Sequence, residues 1–119
     1  MSLKQPIPVA DGVGPHIAAK RLYGEFDIQG NNNYQSTGDN YTASQFGMAG
    51  ITFFQFHERT NSGTYSVAAL PPANASNSNE AYAPASQNWT LHWYSANGTE
   101  VANNSNLAAE FVRAQIWGL

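Results

Sequence analysis

The segment Gln87-Asn-Trp-Thr-Leu-His-Trp-Tyr-Ser-Ala96 alternates apolar and polar side chains more regularly than any other part of the chain. Trp89, Leu91 and Trp93 fall on one face, which is the two-residue period of a strand with one buried side. Asn97-Gly98 follows at once, and this dipeptide is a strong signal for a tight hairpin turn. The segment therefore predicts a strand that buries two tryptophans and then turns back at Thr99–Ala102.

Further segments carry strand patterns of β-branched and aromatic residues between turn residues. They begin at Leu22 and continue with Ile51–Glu58, Thr64–Leu70 and Glu110–Trp117. In the last of them, alternation predicts that Val112, Ala114 and Ile116 face inward. The turn Asn61-Ser-Gly63 predicts that the two strands on either side of it pair as a hairpin.

Strict alternation in Ile51–Glu58 assigns the side chains to two faces. Thr52, Phe54 and Phe56 share one face, and Ile51, Phe53, Gln55 and His57 share the other. Apolar residues occur in both sets, so both faces of this strand are expected to be partly covered.

The segments between the strands carry their own local signals. Gly30–Asn40 is rich in Asn and Gly, which predicts a long surface loop with no buried role of its own. Thr42-Ala-Ser-Gln45 has the spacing of a capping box, which predicts one helical turn. The low-complexity segment 71–86 is long for a loop inside a compact domain, a length typical of a functional or mobile connection.

About six short strands without a long helix predict an all-β fold, either an antiparallel β-sandwich or a flattened barrel. Pro6, Pro8 and Pro15 lie in the first 21 residues, and proline's fixed φ and missing N–H favour extended chain there. We therefore predict an extended N-terminal arm, residues 1–21, followed by a β-sandwich domain, residues 22–119.

Composition narrows the class of function. Charged residues make up 11% of the 119 residues, against about 25% in typical globular domains, and 13% are aromatic, which disfavours disorder. The net charge is −3 and the five Lys and Arg residues form no cluster, so no nucleic-acid partner is expected. The absence of Cys rules out disulfides, and no apolar run is long enough for a membrane helix or a signal peptide.

Catalytic and metal-binding patterns are weak. His16, His57 and His92 lack the spacing of metal ligands, and ordinary surface histidines are the expected reading. No serine lies in a G-x-S-x-G motif, and the candidate carboxylate pair of Glu58 with Glu100 or Glu110 is better explained by solvated strand ends. We expect no enzyme activity, no metal and no cofactor.

The arm and two aromatic residues are the candidate contact sites. The arm combines apolar and basic side chains that suit an extended chain lying along another subunit by strand addition. Its candidate partner-binding residues are Lys4, Ile7, Val9, Val13, Ile17, Lys20 and Arg21. Trp89 and Trp93 are expected in the core with Leu91, which leaves Tyr94 and Trp117 as possible exposed contact aromatics.

Two stretches of the chain resemble a family of virion proteins. These are Gly38-Asp-Asn-Tyr-Thr-Ala-Ser-Gln-Phe-Gly-Met-Ala-Gly-Ile51 and Gly98-Thr-Glu-Val-Ala-Asn-Asn-Ser-Asn-Leu-Ala-Ala-Glu-Phe-Val-Arg-Ala-Gln-Ile-Trp-Gly118. Both are similar to small structural proteins of tailed bacteriophages, and the chain looks most like a capsid decoration, or cement, protein. In that family the first stretch leads into a central strand and the second into the last strand.

The resemblance implies a β-rich homo-oligomer, with a trimer favoured, on the outer surface of an icosahedral phage head. Its partner would be the major capsid protein, whose neighbouring copies it would hold together, and assembly would take place in the host cytoplasm. An alternative remains open, in which the chain is a head- or tail-fibre adhesin module whose exposed Tyr and Trp bind surface glycans.

Overall fold

The structure is a computed structural model that describes residues 5–8, 16–18, 21–71 and 87–119. Eight strands lie in these ranges, two of them very short. They are β1 (Ile7–Pro8), β2 (His16–Ala18), β3 (Arg21–Gln29), β4 (Asp39–Thr42), β5 (Ile51–Phe56), β6 (Tyr65–Leu70), β7 (Asn88–Ser95) and β8 (Phe111–Gly118). A single 3₁₀ turn, Ala43–Phe46, is the helical element of the described chain.

The strands form two antiparallel sheets packed face to face. Sheet one has the order β3-β8-β5, and β1 and β2 both pair with the outer edge of β3. Sheet two has the order β4-β7-β6. The prediction of an all-β antiparallel sandwich with about six main strands is confirmed.

The core lies between the sheets and includes the residues of β7 and β8 whose alternation predicted burial. Trp93 and Leu91 are fully buried and Trp89 is almost so, while Val112, Ala114 and Ile116 of β8 are buried opposite them. Burial of each large apolar side chain contributes roughly 1.5–3 kcal/mol. The alternating patterns of β7 and β8 therefore contribute six of the sixteen buried core residues of the described chain.

The predicted hairpin between the two strands flanking Asn61–Gly63 is wrong. β5 pairs with β8 in sheet one, whereas β6 pairs with β7 in sheet two, so the turn connects the two layers. The predicted face assignment in β5 is also wrong at its start, because the register shifts between Ile51 and Phe53. This irregularity turns Ile51 into the core together with Phe54 and leaves Phe53 52% exposed.

The loop predicted to need partners for any buried role lies partly inside the protein. Asn31 and Tyr34 have no exposed surface, and Tyr34 forms an isolated bridge with Ser105. Gly30 allows this close approach, because a Cβ there would lie 2.3 Å from the backbone oxygen of Leu107. The second loop, residues 101–107, supplies the partners that a single segment of sequence does not reveal.

Two local predictions are confirmed. The 3₁₀ turn begins after Thr42, and a capping box joins Thr42 to Gln45. At Asn97-Gly98 the chain reverses tightly, with Gly98 at φ +85° and its N–H donating to the Ser95 carbonyl at 2.9 Å. The return is short and includes a bridge between Tyr94 and Glu100.

The N-terminal segment pairs with the domain's own sheet wherever it is described. Ile7 lies opposite Asp27 and is 46% exposed, and Ile17 lies opposite Leu22. Ala18 is paired with Arg21, so β2 and β3 are separated by two residues only. Four of the predicted contact residues lie outside the described residues, namely Lys4, Val9, Val13 and Lys20. Residues 72–86, which are most of the low-complexity segment, also lie outside them.

Candidate functional site

Strand register brings three aromatic side chains into one row across the outer face of sheet one. Trp117 of the central strand β8 is the Cα partner of Tyr23 in β3 on one side and of Phe53 in β5 on the other. Directly opposed residues of antiparallel strands project on the same face. We call Tyr23, Trp117 and Phe53 the aromatic row, which spans three strands and hence roughly 10 Å.

The aromatic row is in contact with solvent. Phe53 is 52% exposed, and Tyr23 and Trp117 are each partly exposed. The rings of Tyr23 and Trp117 have centroids 4.5 Å apart with their planes tilted by 45°. This contact holds both rings against each other and supports their orientation on the sheet.

Hydrogen bonds also fix the Tyr23 phenol. Its hydroxyl donates to Glu25 Oε1 at 3.1 Å. Burial raises the pKa of Tyr23, the neighbouring Glu25 carboxylate raises it further, and a hydrogen bond with Gln115 acts in the opposite direction. The phenol is therefore neutral at physiological pH, and the aromatic row carries no charge.

The next row along the same face is polar. Glu25, Gln115 and Gln55 are aligned across β3, β8 and β5, and we call them the amide row after the two glutamines. Gln55 is exposed and the other two are partly exposed. The amide side chains of Gln55 and Gln115 both donate and accept hydrogen bonds, so they can orient a partner that packs on the aromatic row.

A third row ends the exposed face in an ion pair. Arg113 Nε donates to Asp27 Oδ1 at 2.8 Å, and its Nη2 donates to Asp27 Oδ2 at 3.0 Å. The hydrogen bonds and charge of Asp27 raise the pKa of Arg113. The fork geometry holds both charges to each other, and the amide row separates them from the aromatic row.

Aromatic residues exposed together on a flat sheet are the kind of surface that binds a partner. Contiguous exposed apolar patches mark interaction sites, and Trp and Tyr are enriched among the residues that dominate binding energy. Tyr and Trp provide large contact areas at low entropic cost. The chemistry of this face is therefore apolar contact and ring stacking, with hydrogen bonds from the amide row.

The two aromatic residues singled out from the sequence lie on opposite faces of the sandwich. Trp117 is at the centre of the aromatic row, whereas Tyr94 is half-buried on the outer face of sheet two. Sequence reasoning missed Tyr23 and Phe53 as members of the site. Their alignment with Trp117 depends on the pairing of three strands, which no single segment of the sequence reveals.

The candidate histidines do not form a shared site. Within the described ranges, no group of three or more His, Cys, Asp or Glu side chains is arranged to hold a metal ion. His92 instead forms a hydrogen-bonded pair with Glu100, between Nδ1 and Oε2 at 2.9 Å. This pair belongs to the contacts that attach the loop at Tyr34 to sheet two.

Comparisons of the chain with protein-family models, with curated proteins and with solved structures found no match. The described part of the chain also contains no helix long and apolar enough to cross a membrane.

Proposed function

We propose that the protein is a virion structural protein, a capsid decoration or cement protein that binds the outside of an icosahedral phage head. Its partner is the major capsid protein, and the aromatic row is the surface that meets it. The exposure of Phe53 beside Trp117 and Tyr23 is the observation that carries this proposal. The resemblance of residues 38–51 and 98–118 to decoration proteins supplies the class of partner.

The physical character of the face supports a protein partner. Protein interfaces have an apolar centre enriched in aromatic residues and a polar rim. The aromatic row matches the centre, and the amide row with the Asp27–Arg113 pair matches the rim. When an oligomer carries several copies of this face, its contacts with neighbouring capsid subunits are linked, so modest affinity per contact is sufficient for stable decoration.

The N-terminal segment offers a second contact in this proposal. Only two residues separate β2 from β3, so His16–Ala18 is bound to its own sheet. Ile7 is paired with the same sheet, opposite Asp27. The Ile7 side chain is nevertheless 46% exposed, so it is available for contact with a neighbouring capsid subunit.

Binding to heads purified from a phage mutant that lacks the gene for this chain tests the proposal. We expect the added protein to sediment with the heads at a fixed number of copies per capsid and to appear on their outer surface in electron micrographs. The same assay with a chain lacking residues 1–15 measures the contribution of the N-terminal segment. Failure of the full chain to sediment with the heads would overturn the proposal.

A glycan-binding adhesin module of a head or tail fibre is the second candidate. The observation that favours it is the amide row beside the aromatic row, since sugars stack on aromatic rings and hydrogen-bond to neutral amides. A glycan array probed with the wild type and with Trp117→Ala separates the two functions. A specific glycan signal that Trp117→Ala abolishes, without binding to heads, would favour the adhesin.

A further inference from the structure

The outer edge of β6 is open along the described chain. β6 is the last strand of sheet two and pairs with β7 on one side only. At its start, the Tyr65 carbonyl accepts a hydrogen bond from the Thr60 N–H at 2.8 Å. Beyond Tyr65, no other described strand lies along that edge.

Backbone hydrogen bonds of β7 show which residues of β6 direct their N–H and C=O groups toward the open edge. The Ser95 N–H donates to Thr99 and the Trp93 carbonyl accepts from Val101, so the odd-numbered residues of β7 direct their backbone groups away from β6. The even-numbered ones therefore bond to their β6 partners Ser66, Ala68 and Leu70. The backbone N–H and C=O groups of Val67 and Ala69 consequently face the open edge.

The sequence of β6 lacks the features that normally protect such an edge. Tyr65-Ser-Val-Ala-Ala-Leu70 contains no charged residue and no proline, and no register shift interrupts its pairing. Natural edge strands carry lysines, prolines or bulges that prevent pairing with other chains. Ala68 is exposed and Leu70 is 50% exposed beside this edge. β6 is thus a template for another strand.

We propose that β6 pairs with β6 of a second copy of this chain, antiparallel about a two-fold axis at Ala68. In this register Val67 and Ala69 of one copy exchange backbone hydrogen bonds with Ala69 and Val67 of the other. Each copy thereby satisfies the groups of both outward-facing residues. Sheet two becomes a continuous sheet of six strands.

The properties of the edge favour a second copy in this register. Tyr65 is already bonded to Thr60, and Pro71 has no N–H, so the usable edge is centred on Ala68. Across the two-fold axis Ala68 meets Ala68, and Ser66 meets Leu70. These side chains are small or flexible and uncharged, so the pairing brings no like charges together.

A dimer of this kind also gives the particle two aromatic rows. Two capsid-binding faces allow one decoration particle to link two capsid subunits, as cementing requires. That consequence rests on the proposed function, whereas the pairing of β6 rests on the geometry of its edge. Cross-linking and mass measurements on the isolated protein, without capsids, therefore test the pairing separately from the proposed function.

Ala68→Cys tests the axis directly. Opposed residues of a non-hydrogen-bonded antiparallel pair have Cα atoms about 4.5 Å apart, within the range of a disulfide. The chain has no other cysteine, so a disulfide in this variant joins two copies. We expect rapid, nearly complete cross-linking under mild oxidation, and slow cross-linking of the control Ala102→Cys, which is exposed on a loop. Equal rates for both variants would overturn the proposal.

The mass of the wild type in solution provides the second measurement. We expect twice the mass of the chain, and the mass of one chain for Ala68→Lys, which places two like charges at the axis. The control Ala102→Lys should keep the wild-type mass. A wild type with the mass of one chain or of three chains, or an Ala68→Lys variant that keeps the dimer mass, would contradict the two-fold pairing.

Discussion

The phenol of Tyr34 donates a hydrogen bond to Glu100 Oε2 at 2.8 Å, although the two residues lie in different loops. The same hydroxyl accepts the backbone N–H of Trp93 at 3.0 Å. Glu100 in turn contacts His92. Tyr34 thus joins the loop after β3 to the hairpin after β7, and this connection holds one end of the sandwich together.

Tyr34→Phe should destabilise the fold by about 1–3 kcal/mol, because it leaves the buried N–H of Trp93 without a partner. Urea unfolding of both proteins measures the difference. Tyr94→Phe is the matched control, because it removes a hydroxyl from a half-buried residue next to Trp93, on the outer face of β7. It should change stability by less than about 0.5 kcal/mol. Equal effects of the two substitutions would argue against this role of Tyr34.

The pKa of Glu100 is lowered chiefly by its hydrogen bond with His92; desolvation opposes this shift, and the hydrogen bond from Tyr34 lowers the pKa by a lesser amount. A carboxylate with a lowered pKa stabilises the fold above its unfolded pKa, and that stability is lost as the pH falls through the folded pKa. We expect Glu100→Gln to be less stable than the wild type at pH 7. The difference should shrink below about pH 4.5. A stability difference between the wild type and Glu100→Gln that stays constant with pH would contradict this role of the Glu100 carboxylate.

The pKa of Asp39 is shifted in the opposite direction to that of Glu100. Burial raises its pKa, only partly offset by the hydrogen bond that Asn31 donates at 3.0 Å, and within the described residues its Oδ2 has no hydrogen-bond partner. A raised carboxyl pKa makes the ionised form costly, so stability is lost as the pH rises through the folded pKa. Asp39→Asn should therefore be more stable than the wild type at pH 7, with the gain fading toward pH 3. Thermal unfolding of both proteins between pH 3 and pH 7 measures this difference. A wild type that is more stable than Asp39→Asn at neutral pH would contradict the prediction.

The layers of the fold could be predicted wherever one face of a strand is buried and its neighbours are regular. Trp89 and Trp93, like Val112 and Ile116, occupy the core as their alternation indicates. The capping box at Thr42 involves neighbouring residues only, so it could also be predicted from the sequence. In these segments the local preference and the tertiary environment agree, which is what makes a pattern informative.

The remaining features depend on contacts between distant segments. Nothing near Tyr34 in the sequence indicates that residues 101–107 cover it, and a turn such as Asn61–Gly63 has similar chemistry whether it joins paired strands or two layers. The register shift in β5 moved Ile51 and Phe53 to opposite sides. The aromatic row could not be predicted for the same reason, because it exists only after three strands are aligned.

Binding of Trp117→Ala to heads that lack the protein tests the central claim most directly. Truncating a central interface aromatic costs about 2 kcal/mol or more, so we expect the dissociation constant to rise by roughly 30-fold. Tyr94→Ala, on the opposite face, should bind like the wild type, and circular dichroism should show both variants folded. Wild-type affinity of folded Trp117→Ala, or a larger loss with Tyr94→Ala, would contradict the account.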